Sequence, residues 1–181
     1  MKSGDINRDN KIRLHCSALA EPIVAIRPIY SSVAAPQKAL LETMIGAAIW
    51  YIPKPKDAWT GKISRKSLEA LHPKSGYSNF KLSEEHVYPR KVAASMLLRD
   101  ASLTSQTMEV IFREQYGRLH YITPEENKNV IRYQRAEVFS SPEEAYRNAG
   151  ILLIDIQRED LRAIKKRDQI TIEKYYNENR G

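Results

Sequence analysis

The segment Leu82-Ser83-Glu84-Glu85-His86-Val87-Tyr88-Pro89-Arg90-Lys91 places a histidine directly after a carboxylate, then a proline, then two cations. Each residue type has a defined use. An imidazole is neutral and basic near pH 7, so His86 can take a proton from water. A carboxylate is a hard oxygen donor, so Glu85 can hold Mg²⁺ or a similar ion. Arg90 and Lys91 can grip flanking phosphates. Together these are parts of a metal-assisted phosphodiester hydrolase. A second ligand must come from elsewhere, and Thr123-Pro124-Glu125-Glu126-Asn127 offers Glu126 and Asn127. Asn129 lies two residues further on and faces differently around a helix.

Composition sets the frame for that chemistry. The chain has 181 residues, 42% of them hydrophobic, enough for a real core. Lysine and arginine exceed aspartate and glutamate by 29 to 22, and the formal net charge is +7. A basic surplus favours a polyanionic partner, above all nucleic acid. The single cysteine, Cys16, excludes an intramolecular disulfide and a cysteine-based zinc site, and fits a reducing cytoplasm. Residues 1–10 are polar and carry no apolar signal core. The longest apolar run, Ile45 to Ile52, is too short to span a bilayer. No glycine-rich phosphate loop is present, which disfavours nucleoside triphosphate hydrolysis.

The elements that must position these residues read as follows. Residues 1–10 form a flexible lead, 11–157 a single globular domain, and 158–181 a charged C-terminal extension. Ile12-Arg13-Leu14-His15 and Ile23-Val24-Ala25-Ile26 are β-like, with Pro22 and Pro28 marking boundaries. From Gln37 to Tyr51 the pattern is helical, with Leu40, Leu41, Met44, Ile45, Ala48 and Ile49 on one broad apolar face. A short helix is expected over 64–71 and a turn over 72–77. Asn79 to Leu82 reads as a strand leading into Glu85-His86. Helices follow at 90–100, with Val92, Met96 and Leu97 facing inward, and at 104–116. Leu119-His120-Tyr121-Ile122 is a strand, and His120 stands close enough to the candidate helix to approach the site. Thr123-Pro124-Glu125-Glu126 is a helix start: capping threonine, proline in the first turn, glutamate three residues on. Ser141-Pro142-Glu143-Glu144 repeats it, and Ile151 to Ile156 is β-like. The fold class is therefore α+β, a mostly helical domain with a small strand–strand–helix unit.

Leu82 to Lys91, followed downstream by Tyr121-Ile122-Thr123-Pro124-Glu125-Glu126-Asn127, resembles the HNH nucleases with a ββα-metal fold. The resemblance covers residues 79–135. It implies that Glu85 is the first metal ligand, His86 the general base and Asn127 the ligand from the helix. It also implies a divalent ion, Mg²⁺ or Mn²⁺, and double-stranded DNA as substrate, cleaved in a restriction, phage or mobile-element setting. The chain departs from the family in several ways. One or two helices intervene between Arg90 and Tyr116, the Gly-Gly and Cys-x-x-Cys features are absent, and no histidine lies on the final helix.

Two clusters combine aromatic and cationic residues: Trp59 with Lys54, Lys56 and Lys62, and Arg132-Tyr133-Gln134-Arg135. From the second, Arg132 and Arg135 join Arg90 and Lys91 as expected nucleic-acid contacts. Two other functions fit the same residues. One is a non-catalytic nucleic-acid-binding protein, and the other a metal-independent, toxin-like ribonuclease using His86. A homodimer is compatible with either.

Overall fold

A computed structural model describes residues 3–77, 80–135 and 138–178, with side chains from residue 7 onward. In chain order the elements are α1 (Ser3–Ser32), α2 (Ala35–Trp50), β1 (Trp59–Ser64), α3 (Arg65–Leu71), β2 (Ser83–His86), α4 (Arg90–Arg99) and α5 (Ser105–Ile111). They continue with β3 (Leu119–Ile122), α6 (Pro124–Val130), α7 (Pro142–Asn148), β4 (Leu153–Asp155), α8 (Leu161–Lys165) and α9 (Gln169–Glu178). The chain is mostly helical with one four-stranded sheet, an α+β protein. Contacts cluster into two compact units: Met1–Ala58 with His86–Arg118 and Gln134–Phe139, and Trp59–Glu85 with Leu119–Tyr133 and Ser140–Gly181.

The first unit is helical. Its centre is α1, which runs through both segments expected as strands. Ile12, Cys16, Ala20, Ile23 and Tyr30 are buried at spacings of three, four and seven, one stripe of a helix rather than alternating strand faces. Pro22 and Pro28 lie inside α1, where each removes one backbone donor. Both prolines are exposed, and so are Ala18 and Val24, whose carbonyls lose a partner. Water can therefore replace the missing bonds, and the buried stripe keeps the helix continuous. The first turns of α1 fall in the segment expected as a lead.

Helices α2 and α4 pack with α1 around Ile45, Ile49, Ala93, Ala94, Leu97 and Leu98. The apolar face expected for α2 is narrower than its sequence suggests: Leu40 and Met44 are exposed while Glu42 is buried. Met96 on α4 is likewise exposed rather than inward. The buried Glu42 is compensated, because the Tyr30 hydroxyl donates to its Oε1 at 2.7 Å and lies 3.3 Å from Ser95 Oγ. One small hydrogen-bonded cluster thus ties α1, α2 and α4 together. Gly46 sets the closeness of α2 and α4. A methyl group there would stand 3.0 Å from the Arg90 carbonyl oxygen.

The second unit is built on the sheet, in the order β2-β3-β1-β4. Strand β1 pairs in parallel with β3, matching Trp59 to Leu119 and Ile63 to Tyr121. It pairs antiparallel with β4, matching Ile63 to Ile154. The register shifts between Trp59 and Ile63, and Gly61 takes a φ of 91° inside that irregularity. A bulge of this kind favours glycine at its left-handed position. Ile63, Leu68, Ile122, Val130, Ile164 and Ile172 are fully buried and form the centre of this unit. Asn79, expected to open the strand before Glu85, lies outside the described residues, and β2 begins only at Ser83.

Gly46→Ala tests the close approach in the helical unit. The new methyl meets backbone rather than a flexible side chain, so a helix must move. Unfolding in urea should show a loss of about 1–3 kcal/mol. Unchanged stability would mean that α2 and α4 are not held this closely.

Candidate functional site

Glu85 and His86 end β2, and successive side chains of a strand point to opposite faces. Ser83 and Glu85 therefore share one face, with His86 on the other. The Ser83 face is met by α6. Asn127 Nδ2 donates to Ser83 Oγ at 2.7 Å, which turns the amide oxygen of Asn127 outward from that bond. The helix that presents Asn127 starts where the sequence says it does. Thr123 Oγ1 accepts from Glu126 N–H at 3.0 Å, and Glu126 Oε2 accepts from Thr123 N–H at 2.9 Å. This reciprocal cap satisfies two helix-end donors at once.

Glu126 is not available as a metal ligand, contrary to one sequence expectation. It is only 3% exposed, and its Oε2 also accepts from Ser64 Oγ at 2.6 Å. Ser64 in turn caps α3 by accepting from Ser67 N–H at 3.1 Å. The carboxylate is thus built into the junction of β1, α3 and α6. Asn127 is half-buried and Asn129 is exposed on the same helix.

Outside the motif, Tyr146 feels the charge of Glu85 and packs against His120. His120 on β3 is buried, with Nδ1 2.5 Å from Thr60 Oγ1 on β1. Its ring meets the Tyr146 ring edge-on, with centroids 5.1 Å apart. Tyr146 comes from α7 and is 3% exposed. Burial pushes its phenol well above the usual tyrosine range, and the charge of Glu85 adds to the rise. The phenol therefore stays protonated at neutral pH. His120 was visible in the sequence as a histidine on the strand before the helix. Nothing in the spacing linked Tyr146 to Glu85, because α7 reaches it only through the tertiary fold.

His86 has its own surroundings in the helical unit. Its ring lies against Trp50, with centroids 4.8 Å apart and planes tilted by 54°. The Arg90 guanidinium carbon stands 4.6 Å from the centre of the Trp50 ring, within cation–π range. Lys54, His86, Tyr88, Arg90 and Trp50 line a small cavity of about 20 Å³, room for one water. Trp50 lies four residues after Gly46, on the same face of α2. The close approach at Gly46 therefore brings Arg90 to Trp50. Trp50 is 49% exposed, an aromatic face beside cations that the sequence reading missed. Its signal was hidden by Trp59, the expected aromatic contact. Trp59 is buried in the sheet unit against Tyr121, and its indole N–H donates to the Lys62 carbonyl at 2.8 Å.

The expected phosphate-binding cations divide between the units. Arg90 and Lys91 at the start of α4, and Arg135, are exposed in the helical unit. Arg132 is exposed in the sheet unit, with its guanidinium over the Tyr133 ring at 4.8 Å. Cys16 offers no nucleophile. It is fully buried, and desolvation, followed by the nearby charge of Glu109, pushes its thiol up to about 12.

Among the described residues, no three histidine, cysteine, aspartate or glutamate side chains gather at metal-binding geometry. The β2–α6 junction brings the Asn127 amide to Ser83, two residues before Glu85 on the same strand face. Among the described residues no helix is long and apolar enough to cross a membrane. In comparisons with known proteins, no family model matches the chain, and neither a curated protein nor a solved structure shows significant similarity.

Glu126→Ala separates scaffold from chemistry. It removes half of the cap and leaves the Ser64 hydroxyl and Thr123 N–H buried without their acceptor. Chemical denaturation should show a loss of about 2–4 kcal/mol. Measured without divalent ions, an unchanged stability would mean that this carboxylate is not built into the junction.

Proposed function

We propose that this protein hydrolyses phosphodiester bonds in nucleic acid, in the manner of an HNH nuclease, with double-stranded DNA as the favoured substrate. The observation that carries the reading is the strand–strand–helix order around Glu85-His86. Strand β2 lies beside β3, and α6 follows β3 after one residue. Val87 N–H donates to the Arg118 carbonyl just before β3, at 3.1 Å. Asn127, just after β3, reaches back to Ser83 at the start of β2. The end of β2 thus meets the start of β3, and the two strands run in opposite senses. A strand–strand–helix order of this kind supports the reading. The long connection between the strands is taken up by α4 and α5.

In this reading the backbone bends at the end of β2, so that His86, which strand alternation puts on the opposite face from Glu85, serves the same phosphate. His86 accepts a proton from the attacking water, whose oxygen forms the new bond to phosphorus. The bond from phosphorus to the 3′ oxygen breaks, and that oxygen leaves with the electron pair and is then protonated by solvent. Glu85 and Asn127 would hold a divalent ion, whose chemistry there is to stabilise negative charge developing on the leaving oxygen. Trp50 fixes the plane of the His86 ring by packing against it. Arg90 and Lys91, the first two residues of α4, sit a few residues past the base and suit contact with the phosphates on either side. The net charge of +7 supports a polyanionic substrate.

Cleavage of duplex DNA and of RNA, each with Mg²⁺ or with chelator, is the direct assay. Products should form from DNA only when the ion is present. His86→Ala should slow cleavage by about 10²–10⁴-fold while leaving DNA binding and folding intact. Glu85→Ala should raise the ion concentration needed, so that added Mn²⁺ recovers part of the rate. Cleavage of RNA in chelator would replace this reading with a metal-independent ribonuclease, and binding without any cleavage would leave a nucleic-acid-binding protein.

A further inference from the structure

Trp50 and Tyr51 stand side by side at the end of α2, and both are open to solvent, Trp50 at 49% and Tyr51 at 78% exposure. Exposed apolar surface rimmed by polar residues marks an interaction site. Here the rim is cationic. The Arg90 guanidinium lies over the Trp50 ring, and the chain leaves Tyr51 through Ile52-Pro53-Lys54-Pro55-Lys56. Ile52 and Pro55 are buried while Lys54 and Lys56 are exposed. The segment is thus anchored on one side and turns its lysines outward, and its two prolines stiffen it. The helical unit holds 14 lysines and arginines against 9 acidic residues, a surplus of 5 out of the chain's +7.

Aromatic rings set among cations fit a nucleotide chain, in which bases stack on the rings and phosphates meet the cations. A hydrophobic partner gains nothing from the lysines, and a phosphate site alone gains nothing from the rings. Nor does a closed duplex fit, because its base faces are already stacked on one another. We infer that Trp50 and Tyr51 form a stacking platform for unpaired bases, so that the protein engages DNA where its strands are open. The platform presupposes the nucleic-acid substrate proposed above and selects its unpaired form. Trp50 also packs against His86, so a base held on the indole keeps a neighbouring phosphate beside the imidazole.

Binding of a labelled oligothymidylate, measured in chelator so that nothing is cut, tests the platform. Tyr51→Ala removes an exposed ring and should leave the thermal unfolding midpoint unchanged. It should weaken binding about 5–100-fold, the range for one stacked base. The salt dependence should not change, since the phosphate contacts are untouched. An abasic chain of the same length should bind parent and variant equally. In the parent the oligonucleotide should quench tryptophan emission, and Trp50→Phe should abolish the effect, because Trp59 is buried. Equal affinity of parent and Tyr51→Ala for oligothymidylate, or no quenching in the parent, would overturn the inference. So would binding to anionic lipid vesicles in place of the oligonucleotide, which would make the patch a lipid contact. If the variants behave as expected but Mg²⁺ brings no cleavage, the platform stands and the hydrolase reading falls. If DNA is cut while Tyr51→Ala matches the parent in affinity and KM, the hydrolase reading stands and the platform falls.

Discussion

One buried carboxylate, Glu126, decides where α6 begins and what it can present. Its Oε2 accepts from Thr123 N–H at the helix start and from Ser64 Oγ at the end of β1. Buried carboxylates are costly unless their hydrogen bonds are made, so the sequence around it must supply donors in fixed places. Those donors come from the two residues that cap α3 and α6. The consequence reaches Asn127 directly. As the next residue on the helix, it is carried to Ser83 and so to the face of β2 that bears Glu85. Removing this junction would leave the candidate ligands on two elements with no fixed relation.

The helical unit solves a different problem with different means. The packing of α2 against α4 sets the surroundings of the His86 ring. Gly46 lets the backbone at Arg90 approach, and Trp50 one turn later meets both Arg90 and His86. These contacts are aromatic and cationic: the Trp50 indole packs against the imidazole and carries the Arg90 guanidinium over its ring.

Local signals were legible in the sequence and long-range ones were not. The capping residues Thr123, Glu126 and Ser141, the strand Leu119–Ile122 and the helix after Pro89 could be read because their information lies within a few residues. The segments at Ile12 and Ile23 were misread because Pro22 and Pro28 look like boundaries when only neighbours are considered. The buried stripe of α1 shows that both prolines sit on the wet side, where their lost bonds matter least. Glu126 looked like a ligand because a carboxylate beside an asparagine is ambiguous until Ser64 is seen to approach it. Trp50 and Tyr146 could not be found at all, since each reaches its neighbours only through packing of distant elements. Trp59 drew notice because its lysines are adjacent in sequence, although the fold buries it.

The central claim is that the face of β2 bearing Glu85 is an ion site completed by Asn127. Crystals grown with Mn²⁺, with data collected near the manganese edge, test it most directly. The account predicts an anomalous peak within direct coordination distance, about 2.0–2.6 Å, of a Glu85 carboxylate oxygen and the Asn127 amide oxygen. A peak elsewhere in the molecule, with Glu85 untouched at saturating Mn²⁺, would contradict it.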